Sequence, residues 1–226
     1  VTAVQAELPE GLQHLILKEV EGLSPEEQRV LEAASVVGLS FTAAEVAAAD
    51  QDKEERVEAV CDGLVRKQRL IEAQKSEEWP DGTITAGYQF LHAVYQQVVG
   101  SRVGPARQVR LHRLIGERLE AAYGARAAEI ASRLAVHFER GRDPERAVRC
   151  RRQAAEHALH QNAYQEVYLH STTGLALIET LPDAPERTQQ ELRLRQLVST
   201  ALLATRGFAD AELEANLQRT RQLCQE

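Results

Sequence analysis

Residues 52–90 read DKEERVEAVCDGLVRKQRLIEAQKSEEWPDGTITAGYQF, and the period of their apolar positions changes within that span. Val57, Val60, Cys61, Leu64 and Val65 recur at helical spacing, with Asp52 opening the helix. The period then becomes two. Leu70-Ile71-Glu72-Ala73 predicts one short strand and Ile84-Thr85-Ala86-Gly87-Tyr88-Gln89-Phe90 a second. Between them Glu77-Glu78-Trp79-Pro80-Asp81-Gly82 is turn material, with Asp81-Gly82 its strongest signal.

Upstream, Leu12, Leu15, Ile16 and Val20 follow helical spacing. Ser24-Pro25-Glu26-Glu27 predicts a helix start: Ser24 caps, Pro25 fits the first helical position, and Glu27 reaches back as in a capping box. Val30, Leu31, Ala34 and Val37 form its buried stripe, and Gly38 stops it. Thr42-Ala43-Ala44-Glu45 repeats the capping logic for a short helix to about Ala49. Helices followed by a β-hairpin are in the order of a winged helix-turn-helix, expected over residues 1–101.

Downstream, the pattern is helical throughout. Gly104-Pro105 opens a connecting helix, expected over 102–125, with Leu111, Leu114, Ile115, Leu119 and Ala122 on one face and Gly124 at its end. Ile130, Leu134, Ala135 and Phe138 mark the next, closed by Gly141, and Asp143-Pro144 caps another that carries Ala147, Val148, Ala154, Ala155, Ala158 and Leu159. A further helix runs from about Ala163 to Leu181, and Asp183 to Glu186 opens a long one with Leu194, Leu197, Val198, Ala201 and Leu202. Leu213, Leu217 and Leu223 mark the last, which has no capping element after it and predicts that the helices continue. Leu134-Ala135, Phe138, Ala147 and Ala154 match the small/large spacing of a tetratricopeptide unit of about 34 residues. The match is partial. Arg151 stands where a large apolar residue is usual, and the next small-residue helix, around Val167 and Gly174, follows too soon. The expected fold is therefore mainly α: a winged helix with a small hairpin, then an α-solenoid of tetratricopeptide-like helices over 126–226.

Composition agrees with a helical chain that has a core. Of 226 residues, 43% are hydrophobic and only 4% aromatic, which favours small-residue helix packing over a β-sandwich or barrel. At 27% charged, with that apolar share, the chain is not a disordered tail. Cys61, Cys150 and Cys224 have neither metal-ligand nor redox spacing, so a reducing, cytoplasmic setting is expected. There is no run of about 18 apolar residues to span a membrane, and Val1 to Gln5 lack the features of a signal peptide. The chain contains no Met, which predicts an excised piece of a longer polypeptide.

The net charge of -7 is unevenly spread: residues 1–101 carry 8 Lys/Arg against 18 Asp/Glu, and residues 102–226 carry 19 against 16. The basic excess includes Arg107, Arg110, Arg113, Arg149 and Arg152. Its plain reading is a solvated helix face paired with the acidic half. The alternative is a surface for an anionic or protein partner. A DNA-binding role would fall to residues 52–69, whose 5 basic and 5 acidic residues suit a polyanion poorly, so nucleic acid is not the expected partner.

Several chemistries lack their motifs. There is no Gly-x4-Gly-Lys-Ser/Thr loop, no Gly-x-Gly-x-x-Gly and no Gly-x-Ser-x-Gly. His137-Phe138-Glu139 lacks the Pro-Cys-x-x-Cys of zinc deaminases. His157 and His160, beside Glu156, lie a helical turn apart without a His-Glu-x-x-His pattern. No catalytic residue and no metal site is expected in this chain.

Several segments together resemble the region after the nucleotide-binding core of bacterial STAND-type signalling ATPases. They are Leu8-Pro9-Glu10-Gly11-Leu12, Leu23-Ser24-Pro25-Glu26-Glu27-Gln28, residues 31–41 (LEAASVVGLSF), residues 88–98 (YQFLHAVYQQV), residues 111–117 (LHRLIGE), Leu134-Ala135-Val136-His137-Phe138 and the Ala-rich helices after Arg146. The resemblance covers nearly the whole chain and rests on the order and spacing of individually soft motifs. It implies a winged helix and tetratricopeptide-like helices behind a P-loop ATPase core, in proteins often fused to a cyclase, kinase or transcription-regulator domain. It implies no cofactor in this chain itself, and ATP/ADP in the parent protein. The partners implied are that ATPase core in cis and a protein or peptide on the solenoid, with oligomerisation on activation. In the family a histidine just after the second wing strand reaches the β-phosphate of ADP and helps hold the resting state. His92, in Phe90-Leu91-His92, occupies the matching place. An imidazole N–H can donate to a phosphate oxygen. The alternative is that His92 simply caps or packs its helix.

Overall fold

A computed structural model describes residues 10–225. Val1 to Gln5, Leu8 and Pro9, read above, lie outside the described residues. The chain divides into two compact units, one ending at Ala122 and the other beginning at Tyr123. It is mainly helical, with one small antiparallel sheet. Among the described residues no helix is long and apolar enough to cross a membrane.

The first unit runs α1 (Glu10–Glu21), α2 (Pro25–Val37), β1 (Ser40–Thr42), α3 (Ala43–Asp50), α4 (Glu54–Arg66), β2 (Ile71–Glu78), β3 (Ile84–Phe90), α5 (Ala93–Ser101) and α6 (Pro105–Tyr123). Both capping boxes form. Ser24 Oγ accepts from Glu27 N at 3.2 Å while Glu27 Oε2 accepts from Ser24 N at 2.8 Å. At α3 the corresponding distances between Thr42 and Glu45 are 3.3 and 3.0 Å, and Thr85 Oγ1 of β3 accepts from Ala44 N at 3.0 Å. That side-chain cap from a distant strand fixes α3 against the sheet.

The sheet order is β1-β3-β2, antiparallel throughout. β1 was not anticipated, because three residues are too few to show a period. Phe41 of β1 lies opposite Tyr88 and packs against Tyr88 and Phe90, with ring centroids 5.9 and 5.5 Å apart. The first hairpin strand also differs from expectation. Leu70 takes a left-handed backbone (φ 62°), so pairing starts at Ile71. It continues to Glu78, through residues expected in the turn. Only Ile71 of β2 is buried, so apolar alternation could not reveal the rest of the strand. A bulge lies between Gln74 and Glu77, and Gly87 stands beside it because a Cβ there would overlap the Lys75 carbonyl oxygen. α4 starts at Glu54, two residues after the expected opener. Asp52 Oδ1 accepts instead from Lys53 N at 2.8 Å, leaving Lys53 as the N-cap residue without a side-chain bond.

The helix expected as a connector, α6, falls almost wholly in this unit. Arg107 pairs with Glu32 of α2, and Arg118 Nη1 and Nη2 donate to Asp81 Oδ2 and Thr83 Oγ1, both at 2.8 Å. Leu111, Ile115, Leu119 and Ala122 are its buried face.

The second unit opens with a 3-10 stretch, Gly124–Ile130, followed by α7 (Ala131–Arg140), α8 (Pro144–His160), α9 (Tyr164–Ile178), α10 (Pro185–Arg206) and α11 (Ala211–Leu223). Each helix packs on the next. Alanines and larger apolar residues together carry the contact. Ala155, Ala158 and Ala201 close with Val167 and Leu197, Val148 with Ile178 and Leu194, and Val198 with Leu202 and Leu213. Asp143 caps α8 as expected, accepting from Arg146 N at 3.1 Å. The tight turn before it is made by Arg142 (φ 54°), while Gly141 keeps a right-handed backbone. α9 stops at Ile178, short of Leu181, and α10 starts at Pro185 with Ala184 as N-cap rather than an acidic cap.

Candidate functional site

The chain leaving β3 is held on both sides. Phe90 N donates to Leu39 O and Leu91 N to Leu70 O, each at 2.9 Å. His92 follows in extended conformation (φ -146°, ψ 144°) as the N-cap residue of α5. α5 is anchored by buried Val98 and Val99 and by Gln96 Nε2, which donates to Ser35 O at 2.8 Å. The backbone at His92 is therefore fixed, yet the side chain is exposed and makes no capping hydrogen bond. Its ring lies against Tyr95, centroids 5.6 Å apart. Leu39 and Leu91, 41% and 37% exposed, are held on the same strand end by the Phe90 and Leu91 amides. No acidic residue sits in the first turn of α5. The first amides of a helix lack intrahelical partners and its positive end attracts anions. An outward imidazole at such an end can donate to a phosphate oxygen.

The five expected arginines separate into two groups. Arg107, Arg110 and Arg113 lie on α6 of the first unit, and Arg149 and Arg152 on α8 of the second. Arg107 is drawn onto Glu32, which also faces Arg102 at 3.6 Å. Arg152 is held by Glu156 at 2.5 Å and Gln190 at 3.0 Å. Arg110, Arg113 and Arg149 are exposed, the last two with interactions of their own. Arg107 and Arg152 thus act as pins between helices.

Three arrangements escaped sequence reasoning. Arg118 binds the hairpin turn and covers Trp79, a pairing between residues far apart in the chain. Glu191 of α10 accepts from Arg195 at 2.8 Å and lies 3.4 Å from Arg219 of α11. Arg151 joins Glu139 and His170 in the interior of the second unit. The only sequence signal for the last was a charge at a position expected to be apolar.

Burial pushes the Cys61 thiol up to about 12, so it is no nucleophile at neutral pH. His157 Nε2 lies 2.8 Å from Gln161 Nε2, and no group of His, Cys, Asp and Glu among the described residues could hold a metal ion. Comparisons with protein-family models, curated proteins and solved structures found no match.

Proposed function

We propose that this chain is a non-catalytic regulatory and interaction region of a STAND-type signalling ATPase, with a winged helix as its first unit and tetratricopeptide-like helical repeats as its second. The first unit docks on an upstream P-loop domain, and His92 reads the phosphate of its ADP. The second unit receives a protein or peptide partner. A partner that binds the open and closed states with different affinity then couples signal to nucleotide state.

The observation that carries this reading is His92 itself: an exposed imidazole on a rigid backbone, at an acid-free helix start, flanked by exposed Leu39 and Leu91. Apolar side chains around a phosphate-directed donor suit a protein surface that brings a nucleotide with it. The element order of the first unit and its β1-β3-β2 sheet support a winged helix. Against a duplex as partner, Arg56 and Lys67, two of the five cations of residues 52–69, are already paired with Glu26 and Glu27.

The test begins with an antibody to this chain and the mass of the native polypeptide that it detects. A band far above 25.1 kDa is expected. In that polypeptide His92→Ala should loosen ADP and raise basal output. A native band near 25.1 kDa, or ADP affinity and output at wild-type levels in the variant, would overturn the reading.

A further inference from the structure

Arg151 of α8 and His170 of α9 meet inside the second unit, 9% and 8% exposed. Arg151 Nη1 lies 3.0 Å from His170 Nδ1. A guanidinium has only donors, so Nδ1 must present its lone pair and the imidazole proton must sit on Nε2. The other side of the guanidinium is taken: Arg151 Nε donates to Glu139 Oε1 of α7. The helices also approach closely at the base of this side chain. Gly174 of α9 lies so close to α8 and α10 that a Cβ there would be 3.4 Å from Arg151 Cβ and 2.9 Å from Leu194 Cδ1.

We propose that the Arg151–His170 contact is a proton-operated latch: neutral His170 joins α9 to α8, and protonated His170 releases it. Protonation would place a second donor and a second positive charge against Arg151 Nη1. Arg151 and His170 are both buried and Arg151 Nε is bound to Glu139, so swinging the guanidinium away would break that bond. The helices part instead. Because Arg151 keeps Glu139, the α7–α8 joint persists while α9 loosens, which changes any surface that α9 presents.

The charges acting on His170 are Arg151 from α8, Glu166 from its own helix and Glu139 from α7. From α10, which packs on both α9 and α8, Leu194 meets Gly174, and buried Glu191 is engaged by Arg195 and Arg219. Burial, then Arg151, lowers the His170 pKa, and the two carboxylates oppose this only in part. A histidine lowered in the folded state contributes stability that is complete above the unfolded value, about 6.5, and is lost as pH falls through the folded one.

The experiment is hydrogen exchange on the full chain at pH 7 and pH 5, corrected for intrinsic rates, in wild type and His170→Asn. The Asn oxygen still accepts from Arg151 but does not titrate. In wild type, amides of α9 should lose about tenfold protection while those of α7 change by less than about twofold, and His170→Asn should lose neither. Equal loss in the variant, or none in wild type, overturns the latch. A second readout uses wild type alone: His170 ring nitrogen shifts should report an Nε2–H neutral ring at pH 7 whose protonation tracks the loosening of α9. A charged ring, or an Nδ1–H tautomer, at pH 7 overturns it equally. Site-resolved signals separate His170 from His137, which is also buried on α7.

Discussion

Arg118 of α6 lies over the ring of Trp79, its guanidinium carbon 4.8 Å from the ring centroid, and the same side chain grips Asp81 and Thr83. One arginine thus covers the aromatic base and both sides of the hairpin turn. The turn is closed internally by Trp79 N to Thr83 O at 2.8 Å and by Gly82 (φ 84°). Arg118 adds the tie to α6 and holds the Asp81 carboxyl down to about 2.

Arg118→Ala should therefore uncover Trp79, which is 3% exposed in the structure and the sole tryptophan of the chain. Its emission should move to longer wavelength and become more accessible to iodide. Loss of the stacked cation alone is worth about 0.5–1 kcal/mol. Arg118→Lys should restore little, because an ammonium cannot cover a ring and grip two oxygens together. Unchanged emission in Arg118→Ala would show that the turn is held without α6.

Gly87→Ala tests the bulge. The added Cβ would overlap a backbone oxygen, that of Lys75, and not the end of a flexible chain. The strands must part or β2 must lose its bulge, at a cost of about 1–3 kcal/mol. Thermal melts should show this destabilisation, whereas Gly63→Ala, where nothing lies within 4 Å, should be neutral or stabilising. Equal melting of the two variants would contradict the register of the hairpin.

These two sites mark the limits of what the sequence could reveal. Both capping boxes were legible because each is a local pattern four residues long. The helices of the second unit were legible from apolar and small residues at helical spacing, whereas α5 showed no such stripe and only the family resemblance put His92 at the start of a helix. β1 was not legible, since it survives only by pairing with β3, and neither was the exposed length of β2. The arginines show the same limit. Arg107 and Arg118 sit on one helix, but only tertiary placement turns them onto Glu32 and Asp81.

Ser171 offers the opposite kind of test. It is fully buried in α9, and its Oγ makes no hydrogen bond among the described residues. A buried unsatisfied hydroxyl costs about 1–3 kcal/mol. Ser171→Ala removes that cost at nearly constant volume and improves helix propensity, so it should stabilise the chain by about 1 kcal/mol. A lowered melting temperature would show that the hydroxyl has a partner.

Glu27 supplies the pH dependence of the first unit. Lys67 Nζ lies 2.8 Å from Oε1, while Oε2 accepts from Ser24 N, so one carboxylate caps α2 and ties it to the end of α4. The bond to Lys67, then that to Ser24, lowers its pKa from 4.5 to about 2. A carboxylate lowered in the folded state binds its proton more readily when unfolded. Its stabilisation is complete above about pH 4.5 and is lost as pH falls toward 2. Glu27→Gln can still accept from Ser24 but presents no charge to Lys67. At pH 7 it should cost about 0.5–1 kcal/mol, the worth of an exposed pair, and the difference from wild type should shrink as pH falls from 4.5 toward 2. Glu27→Ala, which also loses the cap, should cost about 1 kcal/mol more, and that increment should persist in acid. Denaturant melts of the three proteins at pH 7 and pH 2 decide it: a wild-type advantage over Glu27→Gln as large at pH 2 as at pH 7 would assign the stabilisation to packing and not to charge.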